Sequence, residues 1–365
     1  MIPSGKPELD AVLSLDEFEA LAKPRMSAMA YAYVTGGAAD ELTLCANCDE
    51  WKRIRLAPRV LVDVSELDLR TEILGQQFEM PILLAPAAFH RLCDKEGELA
   101  TVAGANQAGA SVVLSSFSTV AVEGVTAAAK YPVWFQLYFQ EDRGLTAEMV
   151  RRAEAAGCKG LCITVDTPVL GARHREARTR FELPADFKLP NLNLGAISHR
   201  PTQSAIYSVL LNAKLNWKDV EWVSGLSKIP VLLKGVLNPE DAVRATGSGV
   251  AAVIVSNHGA RNLDTLPSTA EALPRVVERV KDKIPVLVDG GIRRGTDVLK
   301  ALALGAKAVL IGRPYLYALA FAGAAGVARS LEILRVELMM AMALTGRTAI
   351  NQIDRSVLWD PRSHV

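Results

Sequence analysis

Short apolar runs alternate with helix-compatible stretches along most of the chain after residue 80. Each run is rich in β-branched or other apolar side chains and ends in small or polar residues. Because they are apolar through most of their length, and not only at every second position, they are typical of parallel strands covered on both faces. The runs lie at residues 81–85, 111–114, 133–137, 161–165, 231–234, 251–255, 285–288 and 308–311.

The number and order of these runs predict the fold class. Eight strands that alternate with helices favour a closed (β/α)8 TIM barrel over an open doubly wound sheet. We expect a single α/β domain over residues 1–365, with a helical N-terminal extension at 1–80 and the barrel at 81–345. The connection after the fourth strand, 167–229, is far longer than a usual βα loop. Such connections are commonly functional, and we predict a lid there.

Composition excludes several classes of partner. Lys and Arg number 41 against 40 Asp and Glu, so no long-range field favours nucleic acid or a membrane surface. Residues 1–12 lack the apolar core of a secretory signal. The longest uncharged run, between Arg313 and Arg329, is shorter than the roughly 20 apolar residues that a membrane span requires. Cys45 and Cys48 form a C-x-x-C without a second pair or a His cluster, so we expect no metal. We therefore expect a cytoplasmic protein.

Polar and small residues gather after the predicted strands. In α/β barrels the chemistry is located at the carboxyl ends of the strands, so these residues are candidates for a site. A barrel with a purely structural role would not require them. They are Ala87, Ala88, Ser115, Ser116, Gln136, Tyr138, Thr164, Asp166, Lys234, Ser256, His258, Arg261, Asp289, Gly290, Gly291, Gly312 and Arg313.

The loops after the last two strands have a sequence pattern typical of phosphate-binding sites. Residues 289–295, Asp-Gly-Gly-Ile-Arg-Arg-Gly, provide glycines for close backbone approach and then a helix start, while Gly312 and Arg313 provide an amide and a guanidinium. Backbone N–H groups, a helix N-terminus and arginine together suit a phosphate dianion, and barrels commonly bind phosphate at these two loops. Tight-turn glycines with solvated arginines are the alternative for either loop alone.

The segment from Ser256 to Asp264 presents an imidazole and a guanidinium three residues apart. Arg261 can hold a carboxylate while His258 takes a proton from the neighbouring carbon or its hydroxyl. Asp166, after the fourth strand, is a candidate partner for that imidazole, and a helix-capping role fits its local sequence equally well. Lys234 ends an apolar strand, where a buried ammonium requires an anionic partner.

With these residues in place, the chain resembles the FMN-dependent L-2-hydroxy acid oxidising family of glycolate oxidases, lactate oxidases and mandelate-oxidising relatives. The resemblance covers nearly the whole chain. The motifs that carry it are Tyr31-Ala-Tyr33, Gln136-Leu-Tyr138, Thr164-Val-Asp166-Thr-Pro, Leu233-Lys234-Gly235, Ser256-Asn-His-Gly-Ala-Arg261, Asp289-Gly-Gly-Ile-Arg-Arg-Gly-Thr-Asp297 and Ile311-Gly-Arg-Pro314.

The resemblance implies a role for each matching position. It implies that His258 is the base, that Asp166 pairs with it, and that Lys234 faces N1 and O2 of the flavin. It also implies that Arg261 and Arg173 bind the substrate carboxylate, assisted by the phenols at the positions of Tyr33 and Tyr138. The implied FMN contacts are Ala87, Ala88, Ser115, Gln136, Thr164 and Ser256 near the ring, Asp289 and Gly290 on the ribityl side, and Gly291, Arg293, Gly312 and Arg313 around the phosphate.

The implied reaction is oxidation of a small L-2-hydroxy acid to its 2-oxo acid, with O2 reduced to H2O2, in a homotetramer. Phe117 stands where glycolate oxidases have Trp, and together with Leu170 and the two phenols it predicts a modest pocket suited to L-lactate or glycolate. One methyl group changes the free energy of binding by only about 1–3 kcal/mol, so the sequence does not distinguish L-lactate from glycolate as the substrate. The alternatives are a dehydrogenase that uses another acceptor or prefers mandelate-like acids, and a different FMN or phosphate-binding barrel.

Overall fold

A closed barrel of eight parallel strands forms the centre of the protein, in a computed structural model that describes residues 7–192, 206, 208 and 210–359. The strands pair in the order of the chain, and the last pairs with the first. The predicted TIM barrel is confirmed. A two-stranded hairpin precedes it, formed by β1 (Thr71–Ile73) and β2 (Gln76–Phe78), and the barrel strands are β3 (Ile82–Leu84), β4 (Ser111–Ser115), β5 (Val133–Leu137), β6 (Gly160–Thr164), β7 (Val231–Val236), β8 (Ala252–Val255), β9 (Val286–Asp289) and β10 (Val309–Ile311).

The barrel interior is filled by side chains. Alternate strand residues such as Leu83, Val113 and Trp134 form one inner cluster, whereas their neighbours pack outward against the helices. Ile73 and Phe78 of the hairpin join this inner cluster. Phe78 packs edge-on against Trp134, near the start of β5, at 5.8 Å between ring centroids. The hairpin therefore closes the amino-terminal end of the barrel, and residues 1–80 are not wholly helical as the sequence predicted.

Helices surround the barrel and also precede it. Asn238 accepts a hydrogen bond from the Glu240 amide and so caps its helix, as the Asn-Pro pair predicts. The helices are α1 (Pro7–Asp10), α2 (Glu17–Ala22), α3 (Ala28–Thr35), α4 (Leu42–Arg53), α5 (Glu98–Ala108), α6 (Val122–Ala128), α7 (Arg143–Ala155), α8 (His174–Arg178), α9 (Trp217–Leu226), α10 (Pro239–Ala245), α11 (Thr269–Val280), α12 (Gly295–Ala303) and α13 (Arg313–Leu344).

The amino-terminal helices α3 and α4 cover the carboxyl ends of the barrel strands. Asn47 of α4 and Asn257, which follows β8, exchange two side-chain hydrogen bonds at 2.9 and 2.8 Å, and both residues are buried. A further contact runs from the Trp51 indole N–H to the Gly290 carbonyl at 2.9 Å. These bonds place α4 over the rim that carries the candidate site.

The predicted lid segment leaves the barrel after β6. The described part of this segment covers residues 167–192, 206, 208 and 210–229 and includes the short helix α8. Near its end lies α9, whose start is fixed by a capping box between Asn216 and Asp219. Part of the predicted lid lies outside the described residues.

The helix α13 is long and apolar enough to cross a membrane, judged by length and composition alone. Of its most apolar window, 61% is buried inside the protein, where the helix packs against α5 and α12. A bend at Ala322 and Gly323 interrupts it. These contacts are those of a core helix.

Candidate active site

A cavity of about 460 Å³ opens at the carboxyl ends of the barrel strands. Tyr33 from α3 and Arg173 at the start of α8 border it together with residues of the strand ends. It is lined by nearly all the candidates that the sequence provided, namely Tyr33, Ala87, Ala88, Ser115, Phe117, Gln136, Tyr138, Thr164, Leu170, Arg173, Lys234, His258, Arg261, Asp289, Gly290, Gly291, Arg293, Gly312 and Arg313.

The imidazole of His258 lies between a carboxylate and a phenol. Its Nδ1 is 2.8 Å from Asp166 Oδ1 and 3.2 Å from Thr167 Oγ1, while its Nε2 is 3.4 Å from the hydroxyl of Tyr138. A carboxylate only accepts hydrogen bonds, so Nδ1 carries the proton and donates a hydrogen bond to Asp166. The lone pair of Nε2 is therefore directed toward Tyr138 and the cavity.

Backbone conformation contributes to this placement. His258 and Ala260 have φ values of 57° and 60°, in the left-handed region that few residues with a side chain adopt. Asn257 stabilises the turn by accepting a hydrogen bond from the Ala260 amide at 3.1 Å, and Asn47 holds Asn257 in turn. Non-glycine residues in this region cost free energy and cluster at functional sites.

Burial sets the protonation states of the His258 pair. Burial lowers the pKa of His258 below its usual value, against the opposing effect of Asp166, so the imidazole is neutral at neutral pH. Burial opposes ionisation of Asp166, but His258, Lys234 and the Thr167 hydroxyl outweigh it and lower the pKa of this carboxyl. The pair is therefore a neutral base beside an ionised carboxylate.

Two guanidiniums lie on the side of the cavity formed by α3 and α8. Arg261 donates from Nη1 to the carbonyls of Tyr33 and Gly36 at 2.5 and 3.1 Å, and its guanidinium lies 4.8 Å above the Tyr33 ring. Arg173 donates from Nε to the Arg261 carbonyl at 3.4 Å. Glu176 contacts both, 2.9 Å from Arg261 Nη2 and 3.6 Å from Arg173 Nη1.

A buried ion pair lies at the ends of β7 and β9. Lys234 Nζ is 3.2 Å from Asp289 Oδ2 and donates to Ser256 Oγ at 2.9 Å. Burial disfavours the ammonium, but the carboxylates of Asp289 and Asp166 more than offset this and raise the pKa of Lys234. The other oxygen of Asp289, Oδ1, is buried and has no hydrogen-bond partner within the described chain. Such an atom can accept a hydrogen bond from a donor group of a bound ligand.

A row of polar side chains crosses the neighbouring strands. Ser115 Oγ donates to Gln136 Oε1 at 3.1 Å, and Gln136 Nε2 donates to Thr164 Oγ1 at 3.0 Å. All three are buried and border the cavity. They form a polar edge that suits the heteroatoms of a planar ring.

The loops after β9 and β10 pack closely against the amino-terminal helices. Gly291 has a φ of 80°, and a Cβ there would lie 1.8 Å from the Asn47 carbonyl oxygen. Arg313 donates to the carbonyls of Val34 and Gly36 at 3.0 and 2.8 Å. Burial lowers the pKa of Arg313 to about 10, which reflects a desolvated cation. A phosphate placed here would neutralise it.

These features fit FMN. The unsatisfied Asp289 oxygen suits a ribityl hydroxyl, the desolvated Arg313 and the glycine turns suit the phosphate, and the polar edge with Lys234 suits the ring. In the part of the chain that the structure describes, no group of three or more His, Cys, Asp and Glu side chains is arranged to hold a metal ion.

Aromatic rings form the remaining wall of the cavity. Phe117 stacks on Tyr138 at 4.8 Å and on Phe89 at 6.2 Å between ring centroids. Tyr33 stacks on Phe181 at 4.7 Å and lies 5.6 Å from Phe89. The predicted pocket residues are thus brought together, with Leu170 half exposed at the mouth.

Two predicted site residues do not line the cavity. Asp166 acts behind His258, and Ser256 lies behind Lys234, where its hydroxyl also accepts from the His258 amide at 3.1 Å. Sequence reasoning missed Glu176 and Thr167. The spacing of Arg173 and Glu176, three apart on a short helix, was the available signal for the first of these.

The barrel, the cavity at its rim and the glycine- and arginine-bearing loops after β9 and β10 are features of a flavin-dependent oxidoreductase. Comparison with known proteins agrees. A sequence profile of FMN-dependent dehydrogenases matches residues 22–360. An L-lactate oxidase of Nostoc sp. is 48% identical over 96% of this chain and 99% of its own length, and a glycolate oxidase of Spinacia oleracea is 43% identical over 96% and 97%.

A solved structure is similarly close. A soluble mutant of the membrane-associated (S)-mandelate dehydrogenase from Pseudomonas putida superposes with a TM-score of 0.89 at 36% identity, covering 95% of this chain and 99% of that one. The chain belongs to the FMN-dependent dehydrogenase family. The predicted family and the predicted FMN cofactor are confirmed.

Proposed function

We propose that this protein oxidises a small L-2-hydroxy acid, L-lactate or glycolate, to its 2-oxo acid and passes the electrons to O2, which yields H2O2. One observation carries the proposal. A neutral imidazole, backed by an ionised carboxylate, borders the same cavity as two guanidiniums. A 2-hydroxy acid requires a base for its proton and a cation for its carboxylate, and this cavity offers both.

Binding in this proposal begins with charge. Arg261 and Arg173 hold the substrate carboxylate, and the main-chain bonds of Arg261 restrict its rotamers before the acid arrives. Burial raises the pKa of Tyr33 and of Tyr138, so both phenols stay protonated and can donate to substrate oxygens. The acid is thereby oriented with its hydroxyl toward His258 Nε2.

Proton transfer follows from the His258 pair. His258 Nε2 takes a proton from the oriented substrate, and Asp166 stabilises the imidazolium that results. FMN, when bound, supplies the two-electron acceptor. Lys234, charged and buried at the polar edge, offsets negative charge that develops beside it.

The aromatic wall supports a small acid. Phe117, Phe89 and Tyr138 pack on one another, so space beside the base is limited. The similarity to the Nostoc L-lactate oxidase supports the same choice. A second candidate, a mandelate-like acid, is favoured by the similarity to the (S)-mandelate dehydrogenase of Pseudomonas putida.

The test is anaerobic bleaching of the purified yellow protein by glycolate, L-lactate, L-2-hydroxybutyrate and L-mandelate. We expect L-lactate or glycolate to reduce the flavin fastest at equal concentrations. A preference for L-mandelate would favour the second candidate, and a flavin that none of the acids reduces would exclude both. Admitting air then tests the acceptor, because rapid reoxidation with H2O2 release supports an oxidase, whereas a persistently reduced flavin indicates a dehydrogenase.

We also propose that the protein works in a reducing, cytoplasmic setting as a homotetramer. All five cysteines are free thiols, which suits such a compartment. Val60 and Leu61 are among the most exposed large apolar side chains, and Leu344 is also exposed. Gly346 lies against Val62, because a Cβ on Gly346 would be 2.9 Å from Val62 Cγ2. Such a surface is suited to contact between copies. Light scattering in solution tests the tetramer, and localisation of a tagged chain tests the compartment.

A further inference from the structure

Glu176 is the one acidic residue that contacts both arginines at the substrate side of the cavity in the described part of the chain. Its Oε1 lies 2.9 Å from Arg261 Nη2 and its Oε2 lies 3.6 Å from Arg173 Nη1. All three side chains are at most 16% exposed. Water therefore screens these charges weakly.

The neighbouring acid and base groups do not share this role. Arg175, on the same short helix, pairs with Glu41 and donates to Thr35, away from the two guanidiniums. Asp166 and Asp289 are paired with His258 and Lys234. The charge of Glu176 thus lies against the arginine pair, and the three side chains together leave one net positive charge.

We propose that Glu176 is a specificity-determining residue that adapts this site to acids with a single carboxylate. This inference rests on the proposed function, in which Arg173 and Arg261 bind the substrate carboxylate. With Glu176 ionised, one substrate carboxylate neutralises the cluster. A second carboxylate on the ligand adds an uncompensated buried charge, which disfavours 2-hydroxy dicarboxylic acids.

The geometry also separates charge from positioning. Arg261 is held by the carbonyls of Tyr33 and Gly36 through Nη1, independently of Glu176. A glutamine at position 176 retains an oxygen that can accept from Arg261 Nη2, while the negative charge is lost and an amide NH2 replaces the oxygen 3.6 Å from Arg173 Nη1. The substitution Glu176→Gln therefore removes the charge and keeps the shape of the side chain and its contact with Arg261.

The experiment titrates the FMN-loaded enzyme with oxamate and oxalate, which have similar shape but carry one and two negative charges, and follows the flavin absorbance. For Glu176→Gln we expect oxamate to bind about tenfold more tightly than it binds the wild type. The increase in affinity for oxalate should be about five times larger than the increase for oxamate, because Coulomb energy grows with ligand charge. Glu182→Gln, an exposed residue of the same lid segment, is the matched control and should change neither constant. Glu176→Asp keeps the charge and should retain the wild-type ratio of the two constants.

An unchanged oxalate-to-oxamate ratio in Glu176→Gln would overturn the proposal, since a purely positioning role affects both ligands alike. The proposal would also be overturned if the variant bound oxamate and oxalate more weakly by the same factor, or if neither ligand changed the flavin absorbance of the wild type. If the glutamine variant loses FMN, Glu176→Ala provides the charge-free comparison with the aspartate variant. Failure of the proposed function has a different signature, because the flavin would resist every 2-hydroxy acid while the anion titrations still gave constants.

Discussion

Replacing Asp166 by Asn tests the role of the carboxylate behind His258. The two groups are 2.8 Å apart at the hydrogen-bonded atoms and are less than one-fifth exposed. A proton taken by Nε2 creates an imidazolium whose charge lies about 4 Å from that of the carboxylate, an attraction of about 4 kcal/mol at an effective dielectric constant of about 20. Loss of this term should slow flavin reduction about a thousandfold.

The pH dependence of kcat/KM is a second, independent test of the same variant. Burial lowers the pKa of His258, and Asp166 partly opposes this, so removing the carboxylate should lower the pKa further. Only neutral His258 acts as a base, so the acid limb of the kcat/KM profile should lie below pH 6.5 in the wild type and still lower in Asp166→Asn.

Anaerobic stopped-flow experiments with L-lactate measure the rate of flavin reduction. Repeating them over a range of pH gives the position of the acid limb. Thr167→Val is the matched control, because its hydroxyl also contacts Nδ1, at 3.2 Å, but carries no charge, and we expect it to lose less than about tenfold. Flavin reduction in Asp166→Asn within tenfold of the wild type, or an acid limb that moves to higher pH, would refute the assigned role.

Three further predictions concern other parts of the site. His258→Ala should retain FMN but reduce it at least about 10²-fold more slowly in stopped-flow experiments, and near-normal reduction would exclude His258 as the base. Gly291→Ala should purify with little flavin, measured by absorbance, because its Cβ would lie 1.8 Å from the Asn47 carbonyl oxygen; full FMN content would contradict the close approach. Phe117→Ala removes a ring that stacks on Tyr138 at 4.8 Å, so the kcat/KM for L-mandelate relative to L-lactate should rise at least about tenfold, and an unchanged ratio would show that Phe117 does not limit the pocket.

The barrel strands could be predicted from the sequence because their signal is local. Runs such as 133–137 and 111–114 match β5 and β4 to within one residue. The hairpin at residues 71–78 could not be predicted in this way. Its strands are three residues long with exposed polar positions, and they are stabilised by packing of Phe78 against Trp134, which is distant in sequence.

The sequence by itself determined the fold, the family and most of the residues at the rim, because hydrophobic periodicity and motif spacing are properties of neighbouring positions. It left open whether Asp166 caps a helix or holds His258, and the structure places its carboxylate 2.8 Å from the imidazole. Only the tertiary structure decided how the charges combine. Arg261 meets the Tyr33 carbonyl across 228 positions and Glu176 across 85, contacts that exist only once the barrel has closed and α3 and α8 lie over its rim.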